Sequence, residues 1–589
     1  MPTLPWGPDV HDLVIRGAEV VDGSGLPGRR ADVAVDGQVI VDVGNGVGAA
    51  HRVIEADGLV LTPGFVDIHT HFDGQATWDP HLTPSCWHGV TTAVMGNCGV
   101  GFAPARPGGH EALIDIMEGV EDIPGAALSD GIRWDWETFP DYLDALERTG
   151  RSLDLAAQVP HAAVRSYVMG ERSLEDATAE DLAAMADIVE AAVSAGAVGF
   201  ATGRTAGHRD TAGRTVPGTL APERELEAMM DALVAGGGGV FQLTPAGVGG
   251  EMAGDRRGSM DEELQWIVRL GVASGQPLTF LVMEQGGPEP EDWRPWFEAV
   301  HRANAGGARL HPQVGSRCFG VLMGHQSKLN PFRHRPTYAQ LAGLPLDRRV
   351  VELRRPEVRS RILGERADRR GPMALDRFGR GGFENLFPLG ADLDYEPAPE
   401  ASVASIARRE GRDPWEVAYD LLLDFDGREF LLLPLLNYGG GSYDGLRQMM
   451  LDPSTVQGLG DAGAHVGLVS DASMTTYLLT HWARDRRRGP QLPLETVVRR
   501  LTRDPAELYG FHDRGVIAVG RKADLNLIDH GRLHLLHPHQ VADLPGGAGR
   551  LVQRSEGYVA TFVSGEQVLD HDELTGTLPG SLVRSGRSV

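Results

Sequence analysis

Between Gly64 and Asp461 the chain alternates short apolar runs with stretches of helical periodicity, and it does so eight times. The runs are Gly64–His69, Thr91–Gly96, Leu155–Val159, Ala197–Ala201, Gly239–Leu243, Leu278–Val282, Ala308–Val314 and Val456–Asp461. Between several of them, over Ala179–Ala195, Glu223–Ala235 and Met260–Ser274, apolar residues recur every three or four positions, the spacing of one helix face. Buried parallel strands joined by crossover helices have few solutions, and eight of them imply a closed barrel. The expected fold class is therefore α/β, a (β/α)8 barrel of the TIM type.

The chain has 589 residues, more than one core organises, and the surplus is placed by its pattern. From Asp12 to Val60, short β-rich runs such as Leu13-Val14-Ile15 and Asp32-Val33-Ala34-Val35 alternate with Gly, Pro and Asp turn signals. Ala523–Ile528 and Tyr558–Gly565 have the same character. Residues 1–62 with 512–575 are thus expected to build a small β-sandwich module from both termini, 63–511 the barrel, and 576–589 a tail. Residues 315–454, between runs seven and eight, read as an insertion of helices and loops, with an Arg-rich stretch at Arg348–Arg370. Its expected role is a lid over the mouth or a homo-oligomer contact.

Composition excludes several classes. With 55 basic against 81 acidic residues the formal charge is -26, which opposes attraction to nucleic acid or to an anionic membrane. No apolar span is long enough for a membrane helix, and Met1–Trp6 lacks the basic and apolar regions of a leader, so a cytoplasmic protein is expected. Cys86, Cys98 and Cys318 are too few for a disulfide framework. The glycine runs Gly236–Gly239 and Gly439–Gly441 lack phosphate-loop spacing and read as turns.

In a barrel of this kind chemistry sits where strands end. Run one ends in His69-Thr70-His71, and positions i and i+2 of an extended chain share a face, so two imidazoles converge as a divalent metal requires. Taken alone, the pair is equally well a chance His-x-His at a strand end. Run two ends in Gly96-Asn97-Cys98-Gly99, which puts a thiol on the same rim; by itself Cys98 reads as a small buried residue. Run eight ends at Asp461, either a turn aspartate or a group that binds metal and moves a proton.

The run Leu61–Phe72 together with Gly89–Gly99 resembles the amidohydrolase superfamily, and within it the N-acyl-D-amino-acid deacylase (D-aminoacylase) family. The terminal β-rich segments and Gly520–Leu525 are also similar, so the resemblance covers nearly the whole chain. It implies a zinc-dependent hydrolase of amide bonds in which His69, His71, Cys98 and Asp461 match metal positions and Asp461 the catalytic acid/base. The stretches after runs three and four, with Gly324–Phe332 and Ser470–Ser473, resemble a longer bacterial branch described as D-amino-acid deacylases.

The chain departs from that family at two points. The family's remaining metal histidines lie at the ends of strands five and six, but here those ends read Phe241-Gln242-Leu243-Thr244-Pro245 and Leu281-Val282-Met283-Glu284-Gln285. A bridging carboxylated lysine is excluded too, because the only lysines, Lys328 and Lys522, fall in the insertion and beyond the barrel. Three readings of the site stand: one zinc or other divalent ion on His69, His71 and Asp461 with Cys98; a rebuilt two-metal site recruiting Glu284, His161 or His465; or a metal-poor site. The candidate substrate-binding residues are His161, Arg165, Arg204, His208, Arg209, Gln242 and Glu284, the arginines suited to clamping the carboxylate of a small-molecule substrate. The expected activity is hydrolysis of an N-acyl amino acid or related small amide; the alternatives are a cyclising, condensing or lyase enzyme on the same fold, or a degenerate binding protein.

Overall fold

The computed structural model describes residues 10–248, 260–285, 293–365 and 382–586; of Met260 and Asp261 it describes the backbone alone. Met1–Trp6 and the end of the Arg348–Arg370 stretch lie outside them.

Eight strands form one sheet in chain order, each parallel to the next: Phe65–Asp67, Val90–Met95, Asp154–Pro160, Gly199–Gly203, Val240–Thr244, Pro277–Leu281, Arg309–Val314 and Val456–Gln457. We number them 1 to 8. The first and last are joined beyond their ends by a parallel bridge between Thr70 and Ala462, with the His71 N–H donating to the Ala462 carbonyl at 2.8 Å. That bridge closes the barrel. The strands are short and buried on both faces, as parallel strands under a helical layer must be.

Period-two alternation decides which side chains enter the barrel. On strands 4 and 5 Phe200 and Phe241 are register partners with ring centroids 5.3 Å apart, and they lie in the main core cluster with Met229 and Leu233 of the helix Glu223–Ala235. Fully burying one such phenylalanine contributes roughly 2–3 kcal/mol. Gln242, between Phe241 and Leu243, has the opposite parity and points inward. The helices end where their sequence dictates: Thr178 caps Ala179–Ser194 and exchanges hydrogen bonds with Asp181, a complete capping box. Gly64 at the mouth of strand 1 is obligatory, because a Cβ there would lie 2.2 Å from Thr91 Oγ1.

Strands from both termini pair into one nine-stranded sheet, with Leu61 opposite Leu527. Val10–Val20 pairs along one edge with Ala49–Glu55 and then with Val60–Pro63, and strands from both termini enclose a common core of Ile15, Val33, Leu525 and Phe562, the expected terminal β-module. The tail is also attached: Gly580, Leu582 and Val583 lie along Arg151 and Leu155 at the start of strand 3.

The insertion differs from the expected helices and loops. Phe319–Gly324, Phe387–Pro388 and Phe430–Leu436 form a three-stranded antiparallel sheet, and helices pack on it around Met323, Phe332, Tyr338 and Tyr419. Among the described residues no helix is long and apolar enough to cross a membrane.

Candidate metal centre

His69 and His71 follow strand 1 on either side of the closing bridge, and their ring centroids lie 5.4 Å apart. His69 Nε2 faces Cys98 Sγ at 3.4 Å and Asp461 Oδ1 at 3.2 Å, while His71 Nε2 faces the same Asp461 oxygen at 3.7 Å. His69, His71 and Cys98 can place one donor atom each within 4.8 Å of one another. A tetrahedral ion with donors at about 2.0–2.3 Å sets neighbouring donors about 3.3–3.7 Å apart, close to the 3.2–3.7 Å of the His69–Cys98, His69–Asp461 and His71–Asp461 contacts.

Each group is held from behind. Cys98 sits in a tight turn at φ 56°, its N–H donating to Gln242 Oε1 at 3.0 Å and its sulfur accepting from Thr244 Oγ1 at 3.3 Å. The neighbouring Asn97 amide donates to the carbonyls of Thr70 at 3.2 Å and Val94 at 2.9 Å, locking the turn to strand 2 and to the closing bridge. Asp461 also has a positive φ, 41°. Left-handed backbone at a non-glycine residue costs about 1 kcal/mol or more, and here it occurs at two of the four converging groups.

Burial and charge act against one another in this cluster. Burial depresses His69, but the Cys98 thiolate and then Asp461 outweigh it and carry the imidazole up to about 9. His71 is likewise depressed by burial and raised well above the ordinary histidine value by Glu121 and Asp461. Burial pushes the Cys98 thiol up, while His69 and His71 bring it below the usual thiol value. Asp461 follows the same logic: burial would raise it, and the two imidazoles hold it well below the usual carboxylate range. Without a cation, protons keep the charges in balance. The donor set suits a divalent ion in their place, because His71 Nε2, facing Asp461 Oδ1, is buried with no hydrogen-bond partner.

Of the other candidates, most fall elsewhere. Gln242 points into the barrel and holds Cys98, and its Nε2 has no partner. His161 begins the helix His161–Met169, and its two nitrogens contact Thr202 Oγ1 at 2.8 Å and Glu225 Oε1 at 2.9 Å in the layer outside the strands. Arg165 is spent on the same Glu225 carboxylate. Arg204 pairs with Glu263 at 2.8 Å and stacks over Trp266. Arg209 bonds its own loop at the Gly213 carbonyl, 2.9 Å away. His208 lies by Gly203, where a Cβ would meet its Nδ1 at 3.6 Å and the Cys98 carbonyl at 2.5 Å, so it borders the cysteine turn. Glu284 Oε2 accepts from the Gly439 N–H of the insertion at 2.8 Å. Arg165 and Arg204 are thus paired with buried carboxylates and Arg209 lies exposed on its loop, while of these candidates Gln242 and His208 stand beside the converging ligands.

Two residues that touch the centre were not foreseen. Gln313 on strand 7 places Oε1 2.6 Å from His69 Nδ1, and Glu121, last residue of the helix His110–Glu121, places Oε1 3.4 Å from His71 Nδ1. Gln313 carries only a weak signal, because strand 7 also holds Arg309 and His311 and only its last three residues are all buried. Glu121 carries none: in sequence it is one acidic residue among several at a helix end.

The chain matches the family described as "Amidohydrolase family" over residues 52–569. It is 27% identical to an N-acyl-D-aspartate deacylase of Alcaligenes xylosoxydans xylosoxydans over 592 aligned positions, covering 100% of this chain and 98% of that relative. A D-aminoacylase of the same organism is 39% identical over 193 residues, a match that spans 33% of this chain and only 37% of the relative. Among solved structures, a D-aminoacylase superposes with a TM-score of 0.63 at 22% identity, covering 98% of this chain and all of the other. An N-acyl-D-glutamate deacylase from Bordetella bronchiseptica, solved with zinc and a phosphonate mimic of the tetrahedral intermediate, gives 0.62 at 22% identity with the same coverage. At that identity the likeness is one of fold.

Proposed function

The chain belongs to the amidohydrolase family, and from that premise we propose that it hydrolyses the amide bond of a small N-acyl amino acid at the centre of His69, His71, Cys98 and Asp461. It is a hydrolase of carbon–nitrogen bonds other than peptide bonds; the acyl-amino-acid substrate, the single ion and the residue roles are the proposal. The observation that carries it is the convergence of two imidazole Nε2 atoms, a thiol and a carboxylate at the C-terminal rim of the barrel, all buried.

His69, His71, Cys98 and Asp461 would hold one divalent ion, zinc by the softness of a nitrogen, sulfur and oxygen donor set. Such an ion supplies Lewis acidity toward the carbonyl and makes water more acidic. The chain does the rest. Asp461 stays ionised, takes the proton of the attacking water and returns it to the leaving nitrogen. Gln242, with Oε1 fixed on the Cys98 N–H, has an unpartnered Nε2 that can donate to an oxygen of the reacting group. Burial of the centre excludes bulk water and strengthens each of these interactions.

The test is elemental analysis of the purified protein, followed by a panel of N-acyl D- and L-amino acids with and without chelator in ¹⁸O-water. Stoichiometric divalent metal, chelator-sensitive turnover and ¹⁸O in the released carboxylate are expected. Turnover that survives complete removal of metal, or a product without solvent oxygen, would overturn the proposal.

A further inference from the structure

The two imidazoles face chemically different groups at Nδ1, at 2.6 Å for His69 and 3.4 Å for His71. His69 meets the neutral amide oxygen of Gln313, whereas His71 meets the carboxylate of Glu121. His71 and Glu121 are each 1% exposed, so the carboxylate faces that ring across a dry interface. Glu121 is also fixed in place. Its helix ends at Asp122, which has a φ of 55° and whose carboxylate accepts the Gly467 N–H at 3.1 Å and pairs with Lys328. The Lys328 N–H and the Ser327 hydroxyl both donate to the Gly467 carbonyl at 3.0 Å, and the His465 N–H donates to the Glu121 carbonyl. The segment Gly324–Phe332 of the insertion therefore fastens the helix end to the loop after Asp461.

We propose that Glu121 is a positioning residue of the metal centre: its carboxylate, 3.4 Å from His71 Nδ1, orients that ring and leaves Nε2 aimed at Cys98 and Asp461. The inference rests on the metal-centre reading above. A carboxylate behind a ligating imidazole fixes its tautomer and orientation and raises its basicity, and losing that partner typically weakens metal binding about 10–100-fold. Such support has particular value here, because the ends of strands 5 and 6 supply no histidine.

The experiment compares the wild-type chain with Glu121→Gln, which keeps the shape and an acceptor oxygen but loses the charge. Zn²⁺ and Co²⁺ affinities are measured by competition with a chromophoric chelator, with the visible spectrum of the Co²⁺ form and the melting temperature of the metal-free protein. Expected are a metal affinity about 10–100-fold lower and an altered Co²⁺ spectrum, in a metal-free protein that still melts cooperatively. Wild-type affinity with an unchanged spectrum in Glu121→Gln overturns the inference alone; a wild-type chain that binds no metal overturns the centre itself. A second measurement needs no variant: ¹⁵N imidazole NMR of the zinc-loaded wild type should show His71 protonated at Nδ1, and a proton at Nε2 would overturn the inference.

Discussion

Thr70 and Ala462 form the bridge that closes the barrel, and three residues of the candidate metal centre flank it: His69 and His71 beyond the end of strand 1, Asp461 beyond the end of strand 8. The seam of the barrel is thus also its candidate centre. The bridge brings groups nearly 400 positions apart in sequence to 3.2 Å, so the geometry of Asp461 depends on closure rather than on its own loop.

From this follows a test of Asp461. The substitution Asp461→Asn preserves shape and one acceptor oxygen but cannot take a proton at neutral pH. Turnover should fall at least about 10³-fold, at the upper end of what a general acid/base contributes plus part of a ligand's share. Metal content should fall only partly, since His69, His71 and Cys98 remain. Rate at saturating metal and elemental analysis of the same sample check both halves, and full activity would remove Asp461 from the mechanism.

Arg204 should behave as a structural residue. Its guanidinium donates to both oxygens of Glu263, at 2.8 and 3.2 Å, and stacks on Trp266. Breaking a buried pair from one side costs about 3–5 kcal/mol, because the remaining charge is left uncompensated. Arg204→Met should therefore lower the melting temperature by several degrees and leave KM for a carboxylate-bearing substrate within about twofold. A rise in KM of tenfold or more with an unchanged melt would return Arg204 to the substrate site.

The barrel was legible because burial on both faces leaves strands as uninterrupted apolar runs, and the eight runs read from sequence are the eight strands in the same order. The convergence of His69, His71, Cys98 and Asp461 was legible because strand ends define the rim. Arg165 and Arg204 were not, since a sequence shows a basic residue near the mouth but not the Glu225 or Glu263 that neutralises it from the following helices. Glu121 was invisible for the converse reason: its partner His71 is 50 positions away, and no local pattern distinguishes it from a solvated helix end.

Glu396 gives the acid limit of the fold. It joins the insertion to the segment that follows strand 8, accepting from Arg486 Nη2 at 2.8 Å and the Tyr443 N–H at 2.8 Å and contacting His481 Nε2 at 2.9 Å. Burial alone would raise its carboxyl, but His481, Arg486 and the Tyr443 N–H bring it down to about 2. A carboxyl depressed on folding binds its proton more readily in the unfolded chain. The stability it contributes is therefore complete above about pH 4.5 and is lost as pH falls toward about 2. The contribution is about 2 kcal/mol once partial solvent screening is allowed for. Denaturant unfolding of Glu396→Gln should show a deficit of that order at pH 7 that shrinks steadily below pH 4.5 and vanishes near pH 2. A deficit constant across that window would mean that packing, and not the charge of Glu396, holds the insertion in place.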